Sequence, residues 1–291
     1  MITRFDHIVI GVRDLDMATR RYQQLGFDVR PGGRHTGLGT HNAIIRFGLD
    51  YIELLSIYDE TEARASKLGG PELIDFLRER EGGLLGYALA TADIEQEAER
   101  LHGTELLAAE PFAMQRLRPD GCLLTWRLLI PGGTSWRQPW PFLIQWDAPD
   151  EQRLSWEVPG IHPNGVIEWI RAVIAVRNLE SATALYQRQL GLDLQESGEI
   201  SRLTAMRATF QLGTSNIDLL MPTGEGPVQQ VLTDLGEGLL EVSFAVKDLK
   251  QTCAFLQRGG IDFELEAAGS GTLLISPDHA LGARLILVEK G

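Results

Sequence analysis

The sequence predicts an α+β protein of four βαβββ modules, paired into two curved mixed sheets. Three observations predict it. An apolar strand, a small acidic or amide residue and an amphipathic helix recur in that order four times. The period, about 70–80 residues, is too long for a thin solenoid and suits small modules. Each helix runs out at or near a glycine suited to a left-handed cap.

The first copy is His7-Ile8-Val9-Ile10-Gly11-Val12-Arg13-Asp14-Leu15. Its β-branched run favours a strand. Asp14 stands where an N-cap belongs, its carboxylate able to accept from a free amide of a helix over 15–25. Gly26 ends that helix, and strand-like runs follow at 42–47 and 50–56. The second copy runs from Gly86 through Asp93 into a helix over 94–101, with Gly103 after it. The third runs from Arg171 through Asn178 into 179–190, then Gly191 and runs at 203–212 and 216–221. The fourth runs from Glu241 through Asp248 into 249–256, before Gly259-Gly260.

One such module leaves a sheet face bare, so the four are expected to pair. The expected division is a first pair over 1–147, a linker over 148–165 containing Pro149, Pro159 and Pro163, and a second pair over 166–291. The segment 131–141, with Gly132-Gly133, Trp136, Pro139 and Trp140, is too irregular for a strand. It is expected to lie over one end of the first pair.

Hydrophobic content of 44% is ample for a packed core. A net charge of -13 repels phosphate backbones and argues against nucleic-acid binding. No apolar run is long enough to cross a bilayer. The opening residues enter a strand at once, without a charged-then-apolar leader, and the expected location is the cytoplasm. The two cysteines, Cys122 and Cys253, lie far apart, which disfavours a disulfide framework or thiolate zinc site. The expected partner is a small molecule, and the chain is expected as a monomer or homodimer.

Tandem βαβββ modules opening on His-Ile-Val-Ile-x-Val-x-Asp-Leu resemble the vicinal oxygen chelate superfamily, which includes glyoxalase I, extradiol dioxygenases, methylmalonyl-CoA epimerase and bleomycin-resistance proteins. Residues 35–42, 51–55, 116–121 with Trp126, and 141–147 resemble its glyoxalase-like branch. The resemblance implies a cup between paired modules. There a divalent metal (Zn, Ni, Fe, Mn or Co) is held by the leading residue of each first strand and a carboxylate on each last strand. A substrate chelates it and passes through an enolate-like intermediate.

Carried onto this chain, that pattern is incomplete. His7 and Glu53 match two ligands. Gly86 has no donor, and Gln145 offers only a weak amide oxygen. In the second pair the matching residues are Arg171, Asp218, Glu241 and Ile286. Arginine stays protonated, so an internal ion pair is expected there, and extradiol chemistry is disfavoured. Glu53 lies in an apolar strand where an unpaired carboxylate is costly, which makes it a candidate catalytic base as well as a ligand. His41, beside a glycine-rich turn, is a candidate catalytic residue or missing nitrogen donor, against the alternative that it and His35 are solvated loop residues. Asn42, Arg116, Trp126 and Gln145 are candidate substrate contacts. The leading expectation is a metal-dependent lyase or isomerase acting on a small oxygenated metabolite. The alternative is a metal-free small-molecule binding protein of the bleomycin-resistance type.

Overall fold

The structure is a computed structural model and describes residues 1–104, 106, 110–133, 136–266 and 271–290. The first half comprises β1 (Ile2–Val12), α1 (Leu15–Gln24), β2 (Val29–His35), β3 (Thr40–Arg46), β4 (Tyr51–Ile57), α2 (Glu60–Ala65), α3 (Gly70–Glu79), β5 (Gly82–Thr91), α4 (Ile94–Leu101), β6 (Phe112–Leu117), β7 (Leu123–Leu129), β8 (Phe142–Trp146) and α5 (Asp150–Trp156). The second comprises β9 (Val166–Ala175), α6 (Leu179–Arg188), β10 (Leu194–Ile200), β11 (Ala205–Leu212), β12 (Ser215–Pro222), α7 (Pro227–Asp234), β13 (Gly238–Val246), α8 (Leu249–Arg258), β14 (Phe263–Leu265), β15 (Thr272–Ile275) and β16 (Leu285–Glu289).

Asp14, Asp93, Asn178 and Asp248 each accept from the backbone amide three residues on, at 2.8–3.0 Å. These bonds satisfy amides that a helix start leaves free. Gly26 and Gly191 follow α1 and α6 with φ of 86° and 68°, a region that side chains with a Cβ avoid.

The mixed α+β architecture has two eight-stranded sheets. The first closes into a barrel in the order β1-β4-β3-β2-β6-β7-β8-β5. The second follows the order β10-β11-β12-β9-β13-β16-β15-β14, with β10 and β14 at its edges among the described residues. In each, the first strands of two modules pair antiparallel at the centre, β1 with β5 and β9 with β13. Closure of the first sheet comes from a two-residue seam between β2 and β6, Arg34 opposite Leu117 and His35 opposite Arg116.

The halves pack back to back. Ile8, Ile10, Tyr87 and Leu89 join Ala172, Ile174, Val242 and Phe244 in one buried cluster. Val9, Leu85, Ala88 and Ala90 belong to a second cluster with Trp126, Phe142 and Ile144. The central strands are thus buried on both faces, which explains their near-continuous apolar sequence. Phe5 stacks on Trp169 at 3.5 Å between ring centroids, and the hydroxyls of Tyr87 and Tyr186 are hydrogen-bonded.

Two segments hold more structure than expected. The linker contains α5, whose Arg153 is buried at 1% exposure. The insertion carries Trp136, whose Nε1 donates to Gly69 O at 2.8 Å and ties it to the α2–α3 connection. Thr134 and Ser135 of that insertion lie outside the described residues.

Candidate active site

Side chains alternate along a strand, and this decides what enters the first barrel. Tyr51, Glu53 and Leu55 of β4 line a cavity inside it, while Ile52 and Leu54 belong to the core between the halves. β1 contributes His7 and Val9, β2 His35, β3 Thr40 and Asn42, β6 Met114 and Arg116, β7 Trp126 and Leu128, and β8 Phe142, Ile144 and Trp146. The α2–α3 connection and Trp136 complete the wall. The cavity and its open mouth together hold about 770 Å³ of non-atom space.

His7, His35, Asn42 and Glu53 form its polar patch. His7 Nδ1 lies 2.7 Å from Asp6 Oδ1. Burial pushes the Asp6 pKa up, but the His7 hydrogen bond and the charges of Arg4 and Arg153 outweigh burial and hold it well below the usual carboxylate range. An ionised Asp6 accepts from His7 Nδ1–H and turns Nε2 toward Glu53 Oε2 at 3.7 Å. Tyr51 stacks on the His7 ring, with centroids 4.7 Å apart. Asn42 Nδ2 donates to Glu53 Oε1 at 2.6 Å and lies 3.3 Å from His35 Nε2. His35 Nε2 is 3.5 Å from Glu53 Oε1, and its Nδ1 is 3.0 Å from Thr40 Oγ1. Burial, aided by Arg116 and opposed by Glu53, lowers the His35 pKa to about 4, so this imidazole is neutral near pH 7.

Behind the patch lies a network of buried arginines. Glu157, just after α5, meets Arg46 Nη2 at 2.8 Å, Arg116 Nη2 at 2.9 Å and Arg153 Nη2 at 3.7 Å. Asp6 meets Arg4 at 2.8 Å and Arg153 at 3.8 Å. Arg153 Cζ also sits over Trp146, 3.7 Å from the ring centroid.

His7, Glu53, Asn42, Arg116 and Trp126 are therefore brought together, and His41 and Gln145 are not. His41 follows Thr40 and precedes Asn42 on β3, so its side chain takes the opposite face. Its ring meets Tyr58 at 5.8 Å outside the cavity. Gln145 sits between the inward residues Ile144 and Trp146. Its Oε1 accepts from Ile94 N at 3.0 Å and its Nε2 donates to Ala92 O at 3.0 Å, which ties it to the start of α4. Neither residue is available as the donor or substrate contact expected of it. His35, weighed above as a solvated loop residue, is buried and lines the cavity, and Asp6 holds His7 from outside the lining.

The donors present do not fit the four-ligand metal centre that the resemblance implies. Gly86 has no side-chain donor and Gln145 is turned away. One Glu53 oxygen is engaged by Asn42. Among the described residues no group of three His, Cys, Asp or Glu is arranged to hold a metal ion.

Three of the four matching positions of the second half carry ion-paired side chains, and the fourth is Ile286. Arg171 meets Asp218 at 3.2 Å, as expected, and Thr209 donates to Asp218 at 2.7 Å. Glu241 takes Arg202 at 2.8 Å and Arg284 at 3.6 Å.

Fold and site define a tandem βαβββ protein with a histidine–carboxylate patch in the cavity of its first barrel. A model of the glyoxalase-like domain matches residues 5–172 and again 172–274, and the chain belongs to that family. A hypothetical protein from Staphylococcus aureus superposes with a TM-score of 0.65 at 16% identity, covering 98% of this chain and 99% of that chain. A mutant of 4-hydroxymandelate synthase from Streptomyces coelicolor superposes with a TM-score of 0.65 at 13% identity, covering 99% and 92%. Methylmalonyl-CoA epimerase from Mycobacterium tuberculosis aligns at 24% identity and a TM-score of 0.42, covering 45% of this chain and 93% of that chain. No curated protein matches the chain. The likeness to these solved structures is one of fold. Among the described residues no helix is long and apolar enough to cross a membrane.

Proposed function

We propose that the first barrel is the active site of a lyase or isomerase that moves a proton on a carbon beside a carbonyl group. The carrying observation is the convergence of His7 Nε2 and the Glu53 carboxylate, 3.7 Å apart, on one largely apolar cavity. In this reading Glu53 takes the proton and the C–H electron pair moves onto the carbonyl oxygen as an enolate. The enolate is then reprotonated, giving an isomerase, or expels a leaving group, giving a lyase. His7 is the second proton-transfer group, and Asp6 is the positioning residue that turns its Nε2 toward Glu53. Asn42 orients the carboxylate. The aromatic wall keeps bulk water from the enolate.

The test is deuterium incorporation from D₂O, followed by NMR over a panel of 2-oxo acids, 2-hydroxy acids and acyl thioesters. The expected result is exchange of at least one panel member, lost by a factor of about 10³ or more in Glu53→Gln, the scale of a general-base contribution. No exchange with any member, or undiminished exchange in Glu53→Gln, overturns the reading.

A second reading is a metal-free binding protein, favoured by the walls of Trp126, Trp136, Phe142 and Trp146. It calls for tight binding of an aromatic ligand, equal in the unaltered protein and in Glu53→Gln, without turnover.

A further inference from the structure

We infer that the cavity takes an organic anion, a carboxylate joined to an aromatic or branched apolar body, with its charge directed to Arg116. The inference concerns the same cavity as the proposed proton-transfer site and names its ligand class.

The first observation is a concentration of guanidiniums at the polar end of the cavity. Four guanidiniums, Arg4, Arg46, Arg116 and Arg153, share the buried carboxylates Asp6 and Glu157, with exposed Asp150 on the periphery. His35 contributes no charge near neutral pH. Glu53 is the remaining carboxylate of the patch, across His35 from Arg116.

The second observation is an unfilled bonding capacity. Arg116 is 2% exposed, yet its Nε has no partner. One Nη reaches Glu157, which Arg46 and Arg153 also claim. A buried guanidinium N–H left unpaired is costly, and a carboxylate is the acceptor whose geometry suits its fork. The third observation is the wall. Met114, Trp126, Leu128, Ile130, Trp136 and Phe142 give an apolar surface that fits a flat or branched body and leaves little polar lining away from the patch.

The experiment is calorimetric titration of Glu53→Gln with 3-phenylpropanoate and with its neutral amide, 3-phenylpropanamide. That background removes turnover under the proposed mechanism. The expected result is carboxylate binding at least ten-fold tighter than amide binding. Arg116→Met is expected to abolish the preference while keeping the amide affinity, and Arg116→Lys to retain part of it. A melting curve for each variant checks that it is folded. If Arg116→Met does not fold, Arg116→Lys decides, because a point charge without the planar fork must weaken the preference. Equal affinity for acid and amide, an unchanged preference in the Arg116 variants, or no binding of either probe overturns the inference. A carboxylate preference without any deuterium exchange leaves the ligand class standing and removes the proton-transfer reading. Exchange confined to neutral compounds does the reverse.

Discussion

His35 and Arg116 stand directly opposite each other across the seam that closes the first barrel. Both line the cavity, and they come from different modules. The site therefore exists only in the closed barrel. The pairing also places a permanent positive charge beside an imidazole that burial already keeps neutral.

The resulting pH dependence has a definite sign. The folded-state pKa of His35 is about 4, against about 6.5 for an unperturbed histidine. Above about pH 6.5 the group is neutral in both states and its full contribution is present. Between about 6.5 and 4 the unfolded chain binds a proton that the native state refuses, so stability falls. The shift corresponds to about 3 kcal/mol. Urea unfolding at pH 7.5 and 4.5 is expected to show most of this loss in the native sequence and much less in His35→Gln. Equal losses in both would contradict the assignment.

Asp6→Asn is expected to cost about 3–5 kcal/mol, because it removes the buried carboxylate that meets Arg4 at 2.8 Å and Arg153 at 3.8 Å. It also weakens the hold on the His7 tautomer. With a substrate in hand, kcat should fall while KM changes little, and the pH–rate profile should move. A loss of stability with an unchanged profile would make Asp6 purely structural.

Gly32 touches the site through space rather than through φ. A Cβ there would overlap Asn42 Oδ1. Gly32→Ala is expected to displace the Asn42 amide and free Glu53 Oε1, at a cost of about 1–3 kcal/mol for overpacking. Adding Asn42→Ala should recover much of that cost without restoring function. Thermal melts of the single and double variants check this. Simple additivity of the two losses would argue against a clash.

Trp136→Phe keeps an aromatic wall but removes the hydrogen bond to Gly69 O. The expected loss is about 1 kcal/mol, with faster amide hydrogen exchange confined to residues around 66–70. Unchanged exchange there would show that the insertion does not restrain the α2–α3 connection.

The module pattern was legible because it is local. N-cap side chains, strand runs and helix-ending glycines act within a few residues, and each N-cap appears at the residue the sequence names, while several helix and strand ends shift by one or two residues. Much of the site was legible by strand parity, as with Glu53 between apolar neighbours. The same rule explains the two departures. Adjacent strand residues face opposite sides, so with Asn42 turned inward His41 must face out. Gln145, between inward Ile144 and Trp146, must do likewise. The residues that sequence reading missed depend on long-range closure. His35 enters because β2 pairs with β6. Arg153 and Glu157 enter because the expected linker folds into α5 and its neighbourhood and meets the arginines of β3 and β6.

The sequence by itself determined the family, the fourfold repeat and the starts of the four repeat helices, and it named His7, Asn42, Glu53, Arg116 and Trp126 among its candidates. Short-range hydrogen bonding and side-chain alternation are written in neighbouring residues. Only the tertiary structure decided that the first half closes around a cavity and that buried arginines surround its polar end. Those outcomes turn on which distant strands meet, and burial in the closed barrel then keeps His35 neutral near pH 7.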